Sequence, residues 1–419
     1  MFQMWLVSRI GAAGVGLYGL VSSVAILAVT IAISGVRFAA TRLVSEELGL
    51  RHEGGIGKVV LACSAYSLFF GISTFLILWL CAEPIGFLCI GDARTVLSLK
   101  IISFQLPFVS LSSMFYGYFA AVRRIFKAVT VQMVEQIIRI ALVILLLSYA
   151  PEDNLELSCA AVSLGDTIAE SISFALMLTV FIFDRRRSLA KPYFPPRIQT
   201  RMLNIALPLA LSSYARTSLT TAQQILVPRG LKKAGFSANQ ALAGYGTIQG
   251  MVFPVLFFPS CLMTSIAELI IPELTAAQVS GKTEEIRRII KSLLKNSLLF
   301  SLFIGFMMYL LADVIGGVIY GSAEAGRYIA VFSFLVPIMY LDMVIDGCLK
   351  GLGQQIYSMG INIIDALLGV LLIYFFLPKY ALTAYIAIIF LGEIFNLSLS
   401  ILRLSKICGI GLKSKKDSV

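Results

Sequence analysis

Long apolar runs, separated by short basic or proline-containing stretches, set the pattern of this chain. VSSVAILAVTIAISGV (21–36, with apolar flanks) and LLFSLFIGFMMYLLADVIGGV (298–318) are each long enough to cross roughly 30 Å of hydrocarbon as a helix. The same reading predicts spans at 14–37, 56–82, 96–122, 126–149, 155–183, 201–228, 238–270, 285–312, 325–350, 354–377 and 381–405, with an apolar stub at 1–7. Most connections are short. The longest, DRRRSLAKPYFPPRIQT (184–200), reads as a basic, proline-broken linker. The expected organisation is an N-terminal helical lobe (1–183), a cytoplasmic linker (184–200), a C-terminal helical lobe (201–405) and a cytoplasmic tail (406–419).

Composition agrees with an all-α polytopic membrane protein. Of 419 residues, 58% are hydrophobic and 14% charged, against about 25% charged in soluble domains. The formal net charge of +11 does not point to nucleic acid, because the basic residues sit at span ends. Of the 34 Lys and Arg, 24 fall on one side of the predicted topology, among them Arg42, Lys58, Arg123, Lys127, Arg201, Arg287 and Arg403. The excess of basic residues places that side, with the C-terminus, in the cytoplasm. The seven Cys lie in or beside apolar segments with no CxxC pair and read as packing residues. His52, the only histidine, stands in a charged loop, which excludes a His-based metal site or catalytic triad. No GxxxxGK[ST] motif provides an ATP site, and no cofactor is expected. The external loops are too short to hold the catalytic groups of a saccharide polymerase, so an enzyme is not expected.

The chain also repeats itself. SFQLPFVSLSSMFYG (103–117) returns as SFLVPIMYLDMVIDG (333–347), with Ser103, Phe104, Pro107 and Gly117 falling on Ser333, Phe334, Pro337 and Gly347. AEPIG (82–86) matches ADVIG (312–316), Gly91 matches Gly321, and Glu135 falls on Asp365. Upstream, GLYG (16–19) meets AGYG (243–246), and Glu46 meets Glu273. The copies lie six spans apart, which predicts two six-helix lobes of like orientation, related by a pseudo-two-fold along the membrane normal, with a site between them near the midplane. On this scheme the span at 201–228 lacks a full counterpart before residue 1, so most of a first helix is expected to be missing. Pro107 and Pro337 interrupt matching spans and are candidate hinges.

A charge in hydrocarbon costs several kcal/mol and marks function by default. In mid-span lie Glu135 and Arg139, Asp166 and Glu170, Arg216, Asp342 and Asp346, Asp365, and Glu393. Arg37 stands where the second span meets the cytoplasm. Three pairs have i,i+4 spacing, which puts both groups on one helix face. Glu135–Arg139 is able to neutralise itself. Asp166–Glu170 and Asp342–Asp346 carry like charges; they read either as facing a hydrated cavity, drawing on a cation, a proton or water, or as protonated packing groups.

RIGAAGVGLYGLVSSVAILAVTIAISGVRFAATRLVSEE and ALPLALSSYARTSLTTAQQILVPRGLKKAGFSANQALAGYGTIQGMVFPVLFFPSCLMTSIAELIIPELTAA carry a resemblance. They are similar to the oligosaccharide flippases related to stage V sporulation protein B, within the superfamily of multidrug, oligosaccharidyl-lipid and polysaccharide exporters. The resemblance implies a flippase or exporter of the bacterial plasma membrane that moves a lipid-linked oligosaccharide or peptidoglycan precursor, in cell-wall or sporulation chemistry. For a diphosphate-linked sugar, Arg37, Arg139 and Arg216 would line the path, because arginine binds phosphate oxygens in a fork. The acids Glu135, Asp166, Glu170, Asp342, Asp346 and Asp365 complete the expected path. Their excess over mid-span arginines keeps a second reading open: an H⁺- or Na⁺-coupled multidrug antiporter of the same superfamily.

Overall fold

A computed structural model describes residues 2–50, 53–151, 154–185 and 198–408. His52, most of the 184–200 linker and residues 409–419 of the tail lie outside the described residues. The described chain is helical, without a strand. Seven of its helices are long and apolar enough to cross a membrane, or nine if each of two bent pairs forms one span. By its internal contacts the chain divides into two compact units, 17–225 and 1–16 with 226–419.

The first unit contains α1 (Phe2–Ile33) from Leu17 onward, then α2 (Val36–Gly49), α3 (Ile56–Pro84), α4 (Val96–Ser103), α5 (Leu106–Ala121), α6 (Ile125–Tyr149), α7 (Leu155–Arg185) and α8 (Ile198–Lys233) as far as Ile225. Its core joins Val36, Leu43 and Val44 of α2 to Cys63 and Tyr66 of α3, Phe119 of α5 and Met177 of α7. Between lipid-embedded helices, small residues give close packing and hydroxyls act as glue. Ser110 does the second, donating to the Ala32 and Ser67 carbonyls at 3.0 and 2.7 Å. Gly117 does the first: a Cβ there would lie 2.4 Å from the Arg37 carbonyl oxygen.

The chain breaks between α1 and α2, where Ser34 (φ 45°) and Gly35 (φ 72°) both turn left-handed. Glycine adopts that conformation freely and serine does not. Tyr66 and Tyr214 hold it in place. The Tyr214 hydroxyl lies 2.7 Å from Ser34 Oγ, the Tyr66 hydroxyl 2.9 Å, and Tyr66 also donates to the Ser34 carbonyl at 3.1 Å. This break starts α2 in the direction that carries Arg37. At the far end of α2, Arg201 pairs with Glu46 at 2.5 Å and with Glu47 at 3.4 Å. Asp184 is buried between Arg124, at 2.6 Å, and Lys127.

The second unit contains the end of α8, then α9 (Ala238–Gly246), α10 (Phe253–Phe257), α11 (Ser260–Val279), α12 (Thr283–Val314), α13 (Ala323–Ser333), α14 (Val336–Gly351) and α15 (Gln355–Cys408), together with residues 1–16. Ile270, Leu274, Ile290, Ile345, Leu349 and Leu404 form part of its core. α1 crosses α9 where the echoed glycine phrases lie. A Cβ on Gly16 would sit 2.1 Å from the Leu242 oxygen, and one on Gly246 2.0 Å from the Ala12 oxygen. α15 holds both last predicted spans, parted by a non-helical Ala381 (φ 50°, ψ −136°).

The repeat is visible in local geometry, unit by unit. Each has a π-helical turn, 85–90 and 315–319, ending near a left-handed glycine, Gly91 (φ 75°) and Gly321 (φ 60°). Each then has a bent pair: α4–α5 by 47° and α13–α14 by 55°. Pro107 and Pro337 occupy the first turn of the second helix of each pair, where the missing N–H needs no partner. Gly347 repeats the close approach of Gly117: a Cβ on Gly347 would lie 2.8 Å from the Ala267 carbonyl oxygen.

Candidate functional site

Three helices of the first unit bring polar groups into one buried cluster. On α6, i,i+4 spacing sets Arg139 beside Glu135, and the two are ion-paired. α7 packs on α6 through Gly165, where a Cβ would lie 2.7 Å from Val143 Cγ2. That approach presents Asp166, Glu170 and Ser173 to α6. Arg139 Nε lies 3.6 Å from Asp166 Oδ1, so one guanidinium serves two carboxylates. The Tyr18 hydroxyl of α1 donates to Asp166 Oδ2 at 2.6 Å, and Ser173 Oγ donates to Glu135 Oε2 at 3.0 Å. Buried charges persist when paired and hydrogen-bonded in this way. Of the like-charge pair Asp166–Glu170, Asp166 thus draws its cation from the chain itself.

A cavity of about 460 Å³ opens beside this cluster. Arg37, Ser112, Tyr116, Gln132, Glu135 and Glu170 supply its main polar lining. Arg37 Nε donates to Ser113 Oγ at 3.3 Å, and its guanidinium carbon lies 4.4 Å from the centre of the Tyr116 ring. No carboxylate pairs with Arg37 among the described residues. Glu170, 9% exposed, faces Glu135 and Ser112 and has no ion-pair partner of its own among the described residues. Ser112 Oγ is buried against Glu170.

The sequence marks Arg37, Glu135, Arg139, Asp166 and Glu170, and the structure brings all five to this region. The sequence does not mark Tyr18, Ser112, Tyr116, Gln132, Gln136 and Ser173, since neutral polar residues are ordinary in membrane helices. One signal is present: Gln132, Glu135, Gln136 and Arg139 recur at helical spacing on α6.

The other marked residues lie elsewhere. Arg216 is exposed on α8. In the second unit, Asp346 pairs with Lys350 at 2.6 Å and accepts from Ser358, so it too is neutralised by the chain one helical turn on. Asp342 Oδ1 is buried without a hydrogen-bond partner. Asp365 faces Gly392, where a Cβ would lie 3.1 Å from Asp365 Oδ1. Glu393 lies close to both acids. Gly369 stands one turn after Asp365, where Arg139 follows Glu135. The second unit therefore keeps the acid of α6 without its arginine. Among the described residues, no three His, Cys, Asp or Glu side chains are arranged to hold a metal ion.

A family model described as polysaccharide biosynthesis protein matches residues 2–278. The chain belongs to this family. A second model, MatE, matches residues 234–375. The chain is also similar to stage V sporulation protein B of Bacillus subtilis (strain 168), 23% identical over 97% of the chain and 80% of that relative. Sporulation protein YkvU of the same organism is 21% identical over 84% and 78%. Among solved structures, an inward-facing multidrug resistance MATE family transporter of the MOP superfamily aligns with TM-score 0.74 at 14% identity, covering 98% of this chain and 95% of that one. The lipid II flippase MurJ, inward closed, aligns with TM-score 0.73 at 14% identity, covering 96% and 84%. Both of these solved structures are of membrane transport proteins, and at 14% identity the likeness shows a shared fold.

Proposed function

We propose that this protein translocates a lipid-linked oligosaccharide or peptidoglycan precursor across the bacterial plasma membrane by alternating access, coupled to H⁺ or Na⁺. The observation that carries the reading is the first-unit cavity, where a guanidinium without a carboxylate partner among the described residues and a line of hydrogen-bonding groups stand inside an apolar helical unit. Phosphate needs the first and sugar hydroxyls need the second. The family description and the sporulation-protein relatives support a saccharide substrate. We place the C-terminus in the cytoplasm on the distribution of Lys and Arg, and assign Pro107 and Pro337 as hinges because both bent pairs turn just before them.

One observation favours a second reading, cation-coupled multidrug efflux. Asp342, Asp365 and Glu393 gather in the second unit without a basic partner among them, and acids suit cationic drugs. Reconstitution in proteoliposomes separates the two. The flippase reading expects a fluorescent lipid-linked oligosaccharide to become accessible in the opposite leaflet, and expects Arg37→Ala and Arg216→Ala to slow this. Transport of a cationic dye down an imposed pH or Na⁺ gradient, with no lipid movement, would establish efflux instead.

A further inference from the structure

α12 is longer than a bilayer needs. Its 32 residues, Thr283–Val314, rise about 48 Å along the helix axis, against roughly 30 Å of hydrocarbon. The surplus lies at its N-terminal end, before the apolar run that starts at Leu298. One face of the helix is given to packing: Ile286, Ile290, Ser297, Ser301, Gly305 and Met308 are buried. The face turned away from that core changes chemistry once. Through Leu299, Leu302 and Phe306 it is apolar and exposed. Arg288, Lys291 and Lys295 continue the same face toward the N-terminal end, at i, i+3 and i+7, and all three are exposed.

The helix offers these cations no acid. Its only carboxylates before Asp313 are Glu284 and Glu285, which pair with Arg287 and Lys282. No carboxylate of another element pairs with the three among the described residues. Depth decides what can answer them. At 1.5 Å per residue, Lys295 stands about 4.5 Å and Lys291 about 10 Å before Leu298, within reach of the headgroup layer that flanks the hydrocarbon. A long lysine stem lets each ammonium settle at that level. Because the cations continue a face that lipid covers, the anions nearest to them are phosphates of the lipids packed on Leu299 and Phe306.

We propose that this stripe docks an anionic phospholipid, its phosphate held by Lys291 and Lys295 and its acyl chains lying along Leu299, Leu302 and Phe306. The stripe is on the side that the distribution of Lys and Arg places in the cytoplasm, where anionic headgroups give the leaflet a negative potential. Each Lys or Arg close to such a surface adds about fivefold to binding. The site is separate from the first-unit cavity and does not depend on the transport reading. It also belongs to one repeat. In the register that sets Gly117 on Gly347, Arg288, Lys291 and Lys295 fall on Lys58, Leu61 and Ala65 of α3, which keeps one cation of the three.

The test uses the full chain purified in an uncharged detergent and mixed with equal amounts of phosphatidylglycerol and phosphatidylcholine of distinct acyl mass. Native mass spectrometry counts the lipids retained. The wild type is expected to retain phosphatidylglycerol over phosphatidylcholine by about tenfold or more. Lys291→Leu with Lys295→Ala gives α12 the residues that α3 carries, and should bring the ratio to within about twofold of unity. Lys291→Gln with Lys295→Gln, which keeps both positions polar, should do the same, and Lys291→Arg with Lys295→Arg should retain the preference. Arg327→Gln with Lys379→Gln removes the same charge from exposed positions on the opposite side of the predicted topology, and should leave the ratio at its wild-type value. Monodisperse elution and an unchanged circular-dichroism spectrum certify each variant as folded. Equal retention of the two lipids by the wild type overturns the site, as does a wild-type ratio in either folded neutral pair. An equal loss in Arg327→Gln with Lys379→Gln also overturns it, since net charge would then be the cause. So does displacement of phosphatidylglycerol by excess glycerol 1-phosphate, which would make the ligand a free anion. Flipping in proteoliposomes, measured separately, bears on the proposed function alone.

Discussion

At the scale of single residues, Arg139 is the hub of the first unit. It answers Glu135 on its own helix and Asp166 on the next, so its removal strands two largely buried carboxylates. Breaking a buried pair by deleting one partner costs more than the pair contributed. Arg139→Ala is expected to destabilise the protein by roughly 2–4 kcal/mol, the lower side of the usual range because 30% of the Arg139 side chain stays exposed. Thermal unfolding in detergent measures this. Adding Glu135→Gln to Arg139→Ala should recover part of the loss, because it removes one stranded charge. A double variant no more stable than the single one would show that the guanidinium does not neutralise Glu135. Arg37 makes the contrasting case. It has hydrogen-bonding and ring partners but no carboxylate among the described residues.

At the scale of elements, the α1–α2 break sets where Arg37 goes. A serine at positive φ persists only where its surroundings over-determine it. Here two tyrosine hydroxyls from α3 and α8 converge on Ser34. Tyr66→Phe removes two hydrogen bonds and should lower stability by about 1–2 kcal/mol. Ser34→Gly is expected to keep the fold, since glycine adopts the left-handed turn without strain. Unfolding midpoints of the two variants check both outcomes. An unfolding midpoint of Tyr66→Phe equal to that of the wild type would show that α2 keeps its course without this tether.

At the scale of the whole molecule, topology follows from charge. Basic residues concentrate on one side of the predicted spans, and that side should be cytoplasmic. A green fluorescent protein fused after Val419 is expected to fluoresce in cells, and alkaline phosphatase fused there to be inactive. The reverse result would place the tail outside the cytoplasm. The duplication works at this scale too. Each unit carries its own π-turn, left-handed glycine and bent helix pair. The two repeats nevertheless differ in chemistry: the first pairs its buried acids with an arginine, and the second sets a glycine in that place.

Sequence alone determined the fold class, the repeat and the charged residues worth attention; of the eleven expected spans, seven to nine helices among the described residues are long and apolar enough, and the expected span at 238–270 is broken into α9, a π-helical turn, α10 and the start of α11. Hydrocarbon makes those features legible: an uninterrupted apolar run must be a helix, and a charge within one must be accounted for. The unit boundary was not legible, because α1 and α8 run without interruption through the points where contacts divide at 16–17 and 225–226. Nor was the partner of each charge. Glu135–Arg139 was readable from spacing on one helix, but Asp166 meets Arg139 only because Gly165 lets α7 settle against Val143. The cavity itself came from tertiary structure alone. Its serines, glutamines and tyrosine are commonplace one by one, and only the packing of α2, α5, α6 and α7 turns them toward one space.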